Sequence, residues 1–487
     1  MSIIKKLLYM LTPFERKRAF LLLMLILIMA TLEMIGVASI LPFISVLTNP
    51  NLIETNYILN SMFTYFSVFG VENHQQFLIA LGIIVFILLL TSLTIKVITI
   101  YFQIRFIQLV QHSISKRLIE IYLSQPYSWF LNHHSADFGK KILHEIGMVM
   151  GSGIGPLIEL VARSAVTITI LSLLIITDPK LTLIVGFTLG FSYFAIFKLS
   201  KSYISRLGEE RLKSNEKRFI SISEAFGAIK EIKIGGLEQT YVNRFSNPNL
   251  SMAKNLASSA TIESLPRFFV EAVSFGGIIL LILYLMILTG NFNEILPIIS
   301  LYAFAGYRLI PSLQVIYSSF TKFNYAGPSV DQIFNDLMNL NKIPLSKNNN
   351  NLDLKKEIYL NNISYDYPES SKTALKNISL KIDLNTTVGF VGSTGSGKTT
   401  TADIILGLLE AQKGSLEVDG KIITKENSRN WQKSIGYVPQ FIFLSDDSIS
   451  ANIAFGIEPK NIDQEAVEKA AKIANLHEFV INELPNK

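Results

Sequence analysis

Six apolar runs, each long enough to cross a lipid bilayer, restrict what this chain can fold into more than anything else in it. Spanning the hydrocarbon core takes about 20 apolar residues in a helix rising 1.5 Å per residue. The runs cover residues 19–43, 77–101, 158–176, 181–199, 268–289 and 295–317. Composition agrees. Of 487 residues 49% are hydrophobic and only 17% charged, against about 25% charged in soluble domains. Lys5, Lys6, Arg16, Lys17 and Arg18 precede the first run, as cations do in a secretory signal. That run is too long for one, no small-residue cleavage pattern follows it, and five more runs come after.

Lys and Arg predict the orientation. None occurs from 43 to 76 or from 290 to 294, whereas they crowd the stretch 198–254 and follow the second run at Arg105, Lys116, Arg117, Lys140 and Lys141. Both termini and these two long loops are therefore expected on the cytoplasmic side of a cytoplasmic (inner) membrane. Segments such as 114–123 and 206–226 mix charged and apolar residues at helical spacing, so the loops read as helices extended out of the membrane. The first external loop, 53–69, carries Ile58, Leu59, Met62, Phe63, Phe66 and Phe69 and reads as a short amphipathic helix.

The net charge of +6 does not mark nucleic acid, because the cations lie between apolar runs and form no patch. With no cysteine, disulfides, zinc fingers and thiol chemistry are excluded. His133 and His134 are adjacent and cannot share a helix face, which argues against a metal site. The glycines of 151–155 follow no strand and make no dinucleotide loop.

After the sixth run comes a polar linker containing Lys347-Asn348-Asn349-Asn350-Asn351, and then a mixed, soluble composition. Residues 358–367, 378–382 and 387–391 read as strands. Gly392-Ser393-Thr394-Gly395-Ser396-Gly397-Lys398-Thr399 matches the phosphate-binding loop at every fixed position, with a strand leading in and a helix from Thr400 to 409 leading out. Glycines let successive amides turn toward the phosphates at the positive end of that helix. Lys398 is expected to neutralise the β- and γ-phosphates of ATP, and the Thr399 hydroxyl to bind Mg²⁺. Tyr367 offers an aromatic face for adenine.

Taken together, six spans, two extended cytoplasmic loops, a linker and a phosphate-binding loop resemble the ATP-binding-cassette exporter family, over essentially the whole chain. Residues 363–368 look like its adenine-stacking segment, with Tyr367 at the stacking position, and 374–380 like the strand that follows. Ile435-Gly436-Tyr437-Val438-Pro439-Gln440 resembles the Q-loop, and 224–233 resembles the second coupling segment, which docks on a nucleotide domain. The resemblance implies an all-α six-helix membrane domain over 1–330, a linker over 331–352 and the N-terminal part of an α/β ATP-binding domain over 353–487. It implies that Gln440 reaches Mg²⁺ and the attacking water. Within the family, the cation-free external loop and the stretch 447–456 are most similar to bacterial flippases for lipid-linked oligosaccharides. The function implied is ATP-driven export or flipping of an amphiphile, with peptide or drug export as the alternative. The partners implied are a lipid or lipid-linked glycan, and a second copy or a complete half-transporter.

The pattern departs from the family downstream of Lys398. No Leu-Ser-Gly-Gly-Gln signature and no apolar run ending in Asp-Glu is found, and the one later histidine, His477, lies in a helical stretch. Three readings stay open: a truncated or split product, a fragment of a longer protein, or a degenerate subunit that binds ATP beside a complete partner. A homodimer of this chain alone would be expected to lack the second wall of both sites, and without a base hydrolysis would lose on the order of 10²–10⁴ in rate. A parallel sheet around 387–391 would also be short of neighbours.

Ionisable residues inside spans are candidates for function. Glu159 with Arg163, and Arg267 with Glu271, stand four apart and can neutralise each other. Glu33, Lys96 and Arg308 have no opposite charge at that spacing, although Glu33 and Lys96 can pair between spans. Arg308, with Arg267 and Lys96, is expected to receive an anionic lipid headgroup.

Overall fold

The computed structural model describes residues 1–68, 70–289, 292–340, 351–368 and 372–484. They fall into two compact units, Met1–Leu345 and Ser346–Lys487. Of the expected linker, residues 331–339 are helical and 341–350 lie outside the described residues.

In the first unit, α1 (Ile3–Met10) leads into α2 (Pro13–Ala38) and α3 (Ile40–Thr48). A capping box starts α2: the Thr12 hydroxyl accepts from Glu15 N at 3.3 Å, and the Glu15 carboxylate accepts from Thr12 N at 2.7 Å. The first span was expected unbroken from 19 to 43, but it steps at Ser39 between α2 and α3. The reason is Pro42, which has no N–H to return to the Ala38 carbonyl. Beyond it, α4 (Tyr57–Ser67) is a short helix where an amphipathic one was expected. Its Leu59, Met62, Phe63 and Phe66 pack on Val46, Ile53, Phe77 and Leu81, while Ile58 faces outward with Tyr57 and Tyr65. Phe69 lies outside the described residues.

Among the described residues, four helical stretches are long and apolar enough to cross a membrane: Pro13–Thr48, His74–Leu123, Ser135–Thr177 and Thr182–Gly227. The second is the single helix α5 (His74–Leu123) of 50 residues, about 75 Å long and more than twice a hydrocarbon core. The third includes two π-helical turns, Lys140–Glu145 and Met150–Ile154, before α6 (Gly155–Thr177). The fourth lies in α7 (Pro179–Gly227), which Pro179 opens after Asp178. The short helix α8 (Ile229–Gly235) ends on Gly236 at φ 62° and is followed by α9 (Glu238–Thr289) and α10 (Phe292–Asn339). The expected fifth and sixth spans fall in α9 and α10. Gly290 and Asn291 of the turn between them lie outside the described residues.

The core of this unit is apolar packing of α1, α2, α5, α6, α10 and the π-helical region. At its edge lies a polar junction that charge spacing along the chain does not reveal. Glu145, fully buried, accepts from Arg211 Nη2 of α7 at 2.9 Å, from Ser329 Oγ of α10 at 2.6 Å and from Asn215 Nδ2 at 2.7 Å. Arg211 is itself fully buried and also bonds the Ser329 hydroxyl. Burial alone would raise the Glu145 carboxyl, but bonds from His144, Arg211 and Ser329 hold it well below the usual carboxylate range. One turn before Arg211, Gly208 lies so close to the Tyr325 backbone that α7 and α10 have no room for a side chain between them. A second junction joins α5 to α10: Tyr122 OH donates to Asp336 Oδ2 at 2.5 Å, and Lys141 Nζ bridges Asp336 and Asp137 at 3.0 Å each.

The second unit holds a four-stranded antiparallel sheet in the order β2-β1-β3-β4. Its strands are β1 (Glu357–Asp366), β2 (Thr373–Asp383), β3 (Lys413–Val418) and β4 (Lys421–Ile422). Leu360 opposes Leu380 on one side and Leu416 on the other. α11 (Lys398–Ile405) and Trp431 close the core, with Trp431 Nε1 donating to Ile405 O at 2.7 Å. The strand expected over 387–391 is not formed, and here the sequence reading is corrected. That segment pairs with no strand among the described residues, and Val391 is 98% exposed. A run apolar on both faces becomes a strand only between neighbours that supply ladder bonds.

Removing one member of a buried ion pair costs about 3–5 kcal/mol, because the other charge is left unpaired. Glu145→Ala is therefore expected to lower the thermal midpoint sharply, with partial recovery in the double variant Glu145→Ala/Arg211→Met. The carboxyl is depressed in the fold, so its contribution is complete above the unfolded-state value of about 4.5 and fades as pH falls further. Thermal melts of the two variants across pH 3–7 check both statements (about the range set by carboxyl titration).

Candidate functional site

Below β2 the chain runs through 387–391 into the glycine loop. Gly395 and Gly397 take φ of 82° and 86°, a region that side-chain-bearing residues enter only at a cost. A Cβ at Gly397 would also stand 2.9 Å from Ala374 O and 2.5 Å from Leu375 Cδ2, and one at Gly392 would stand 2.7 Å from Ser396 Oγ. The loop therefore closes where only glycine fits, and α11 starts directly from Gly397. The unpaired N–H groups of its first turn and the positive end of its dipole face the curl. Lys398 Nζ lies back across the loop, donating to Gly392 O and Ser393 O at 2.8 Å each and to Ser396 Oγ at 3.4 Å. These acceptors are uncharged oxygens, in the place where phosphate oxygens would be bound by the same ammonium with the strength of a charge-assisted bond. The cradle fits a nucleotide phosphate chain.

Tyr367 lies just past the end of β1. Its hydroxyl and Thr400 Oγ1 are 3.0 Å apart, and its ring meets Tyr365 edge-on with centroids 5.2 Å apart. The bond fixes the ring beside the first turn of α11. Thr400 is buried, whereas the Thr399 side chain is exposed. Gln440 is exposed at a bend, and no hydrogen bond between it and the loop occurs among the described residues. The fold gathers Tyr367 and residues 392–400 into one site. Around Gln440, Val438 is 86% and Phe441 88% exposed, as Val391 is beside the loop.

The charged positions of the membrane unit sort differently. Lys96 of α5 and Arg308 of α10 converge on one carboxylate, Glu33 of α2: Lys96 Nζ lies 2.8 Å and Arg308 Nη1 3.3 Å from Glu33 Oε1. Arg267 does not join them. It is exposed and bonds Glu271 at 2.7 Å on its own helix, as Arg163 meets Glu159 at 3.6 Å.

Residues 19–307 match the family described as the ABC transporter transmembrane region, and residues 375–486 match the one described as ABC transporter. The chain belongs to the ABC transporter family. It is 26% identical over 381 residues to an ATP-dependent lipid A-core flippase of Wigglesworthia glossinidia brevipalpis, covering 76% of this chain and 63% of that protein. It is 25% identical over 366 residues to the Multidrug resistance-like ATP-binding protein MdlA of Buchnera aphidicola, covering 74% and 62%. The chain spans about three fifths of the length of the curated relatives it matches. The fold is similar to that of a bacterial Atm1-family ABC exporter with ATP bound, at a TM-score of 0.71 and 14% identity, covering 96% of this chain and 78% of that one.

In this ABC transporter chain the segment 224–233 includes the start of α8, whose Ile234 is 89% exposed, as is most of the neighbouring Phe226. The residues that sequence reasoning missed are Glu145, Arg211, Asn215 and Ser329, together with the double pairing at Glu33. A buried charge inside an apolar run, as at Glu145 in Ile142-Leu143-His144-Glu145-Ile146, is the one signal that pointed to them.

Gly397→Val is expected to weaken nucleotide binding at least about tenfold, about 1.4 kcal/mol, read with a fluorescent ATP analogue. Tyr367→Ala is expected to weaken it less, and Tyr367→Phe, which keeps the ring and loses only the bond to Thr400, least of all.

Proposed function

We propose that this chain is a half-transporter that uses ATP to export or flip an amphiphile, a lipid or lipid-linked oligosaccharide, from the cytoplasmic to the outer side of an inner membrane. The observation that carries it is the order of parts: a transmembrane region of this family followed by a loop whose glycines and Lys398 form a phosphate cradle. Relatives named as lipid A-core flippases support the substrate class. In this reading both termini and the long ends of α5, α7 and α9 lie in the cytoplasm, where Lys and Arg concentrate.

ATP bound with Mg²⁺ supplies the free energy of the cycle. The amides of 393–398 and the Lys398 ammonium would hold its β- and γ-phosphates, Tyr367 would stack on the adenine, and Thr399 with Gln440 would hold the Mg²⁺. Thr400 orients Tyr367 through its hydroxyl. Apolar side chains at 226–234 give the membrane unit a surface on which a nucleotide domain docks. Closure of two such domains then drives alternating access. The partner is a second copy or a complete half-transporter, and ATP turnover with and without the latter separates the two. Drug export is the second reading, supported by the likeness to the MdlA protein.

The test is reconstitution in vesicles with fluorescent lipid probes. ATP-dependent movement of an anionic lipid, lost in Lys398→Ala, is the expected result. The reading fails if no lipid probe moves with ATP, either for the chain alone or when it is co-expressed with a complete half-transporter.

A further inference from the structure

Two cations share one carboxylate at the junction of α2, α5 and α10. Glu33 contributes one negative charge, Lys96 and Arg308 one positive charge each, so the group carries a net charge of +1. Its exposure is uneven: the Glu33 side chain is 1% exposed, Lys96 23% and Arg308 19%. Both cations meet the same oxygen, Oε1, at 2.8 and 3.3 Å. An excess charge among apolar helices is costly unless an anion approaches it, and the accessible parts of the group belong to the cations.

We infer that the Glu33 carboxylate is an internal stand-in for the ligand's anionic group, which competes for Lys96 and Arg308 and so sets how tightly, and for which headgroups, the site binds. The inference rests on the proposed reading that the ligand is an anionic amphiphile. An incoming phosphate oxygen seeks the position Oε1 already holds. It meets repulsion from the carboxylate as well as attraction from the cations. A singly charged or zwitterionic headgroup gains little from that exchange, whereas a phosphate monoester, with more charge and more acceptor oxygens, displaces Glu33 and takes both cations. Glu33 thereby selects for highly charged headgroups and releases the cations only when one is present.

The sign of one substitution decides between this and a scaffolding role. If Glu33 merely held the cations in place, removing its charge would loosen the site and weaken anion binding. If it competes, removal strengthens binding. The experiment is titration of purified protein in detergent with phosphatidic acid, phosphatidylcholine and inorganic phosphate, read by intrinsic fluorescence and by the ligand-induced rise in melting temperature. Arg308→Gln and Lys96→Gln are expected to weaken phosphatidic acid binding about tenfold or more, the loss of one charge-assisted bond. Glu33→Gln is expected to tighten it, to lower the melting temperature without lipid, and to show a larger rise with it. Glu33→Asp withdraws the carboxylate while keeping the charge and the fold, and is expected to tighten binding by a smaller factor. Phosphatidylcholine should gain relative to phosphatidic acid in Glu33→Gln. The same order of affinities for inorganic phosphate keeps the exchange and assigns the site to a free anion. Weaker or unchanged phosphatidic acid binding in both Glu33 variants, with Arg308→Gln still impaired, overturns the exchange and leaves the anionic ligand standing. Full binding in Arg308→Gln and Lys96→Gln overturns the anionic ligand itself.

Discussion

Glu145 and Arg211 meet where three helical segments cross, and neither has water to fall back on. Both side chains are fully buried. Their attraction is strong there because the surroundings are poorly polarisable, and for the same reason neither can be left alone. Ser329 and Asn215 complete the set of donors, so the carboxylate accepts from two side chains of α7 and one of α10 at once. This makes the crossing specific. Apolar faces alone are non-directional and would let α7 slide along α10. The junction and the close approach at Gly208 fix one register.

In the nucleotide unit the constraint is local and backbone-driven. The loop from Gly392 to Lys398 keeps its curl because a Cβ at either of two glycines would clash with atoms already in place. Lys398 then holds the loop through carbonyls, the arrangement that a phosphate chain would take over. The segment leading into the loop lacks this kind of self-sufficiency. Residues 387–391 need partners on both sides to become a strand, and Val391 stays exposed without them.

Much of this was legible in the sequence because it depends on length or on fixed spacing. Span length needs only a count of apolar residues, the eight-residue loop motif is contiguous, and Glu271 lies one turn from Arg267. What sequence did not show depends on which helices touch. Glu145 and Arg211 are far apart in the chain, and Arg308, without a partner on its own helix, found one on α2 that also serves Lys96. The break at Ser39 was readable after the fact from Pro42, but an apolar run looks alike on either side of it. Strand 387–391 had the right composition and no ladder. Propensity cannot supply a neighbour.

Two of the polar junctions of α10 also involve α5. Lys96 and Arg308 share Glu33 at one level, and Tyr122 and Asp336 bond at another. Along either helix the two levels are separated by 26 or 28 residues, about 40 Å at the helical rise. At the second level the two helices bond each other directly, whereas at the Glu33 level they meet only through a carboxylate of α2. α2 also carries the step at Ser39, six residues beyond Glu33. A change in what Lys96 and Arg308 hold therefore acts first on α2, and the discontinuity at Ser39 is where α2 can yield without disturbing the packing of α3 and α4.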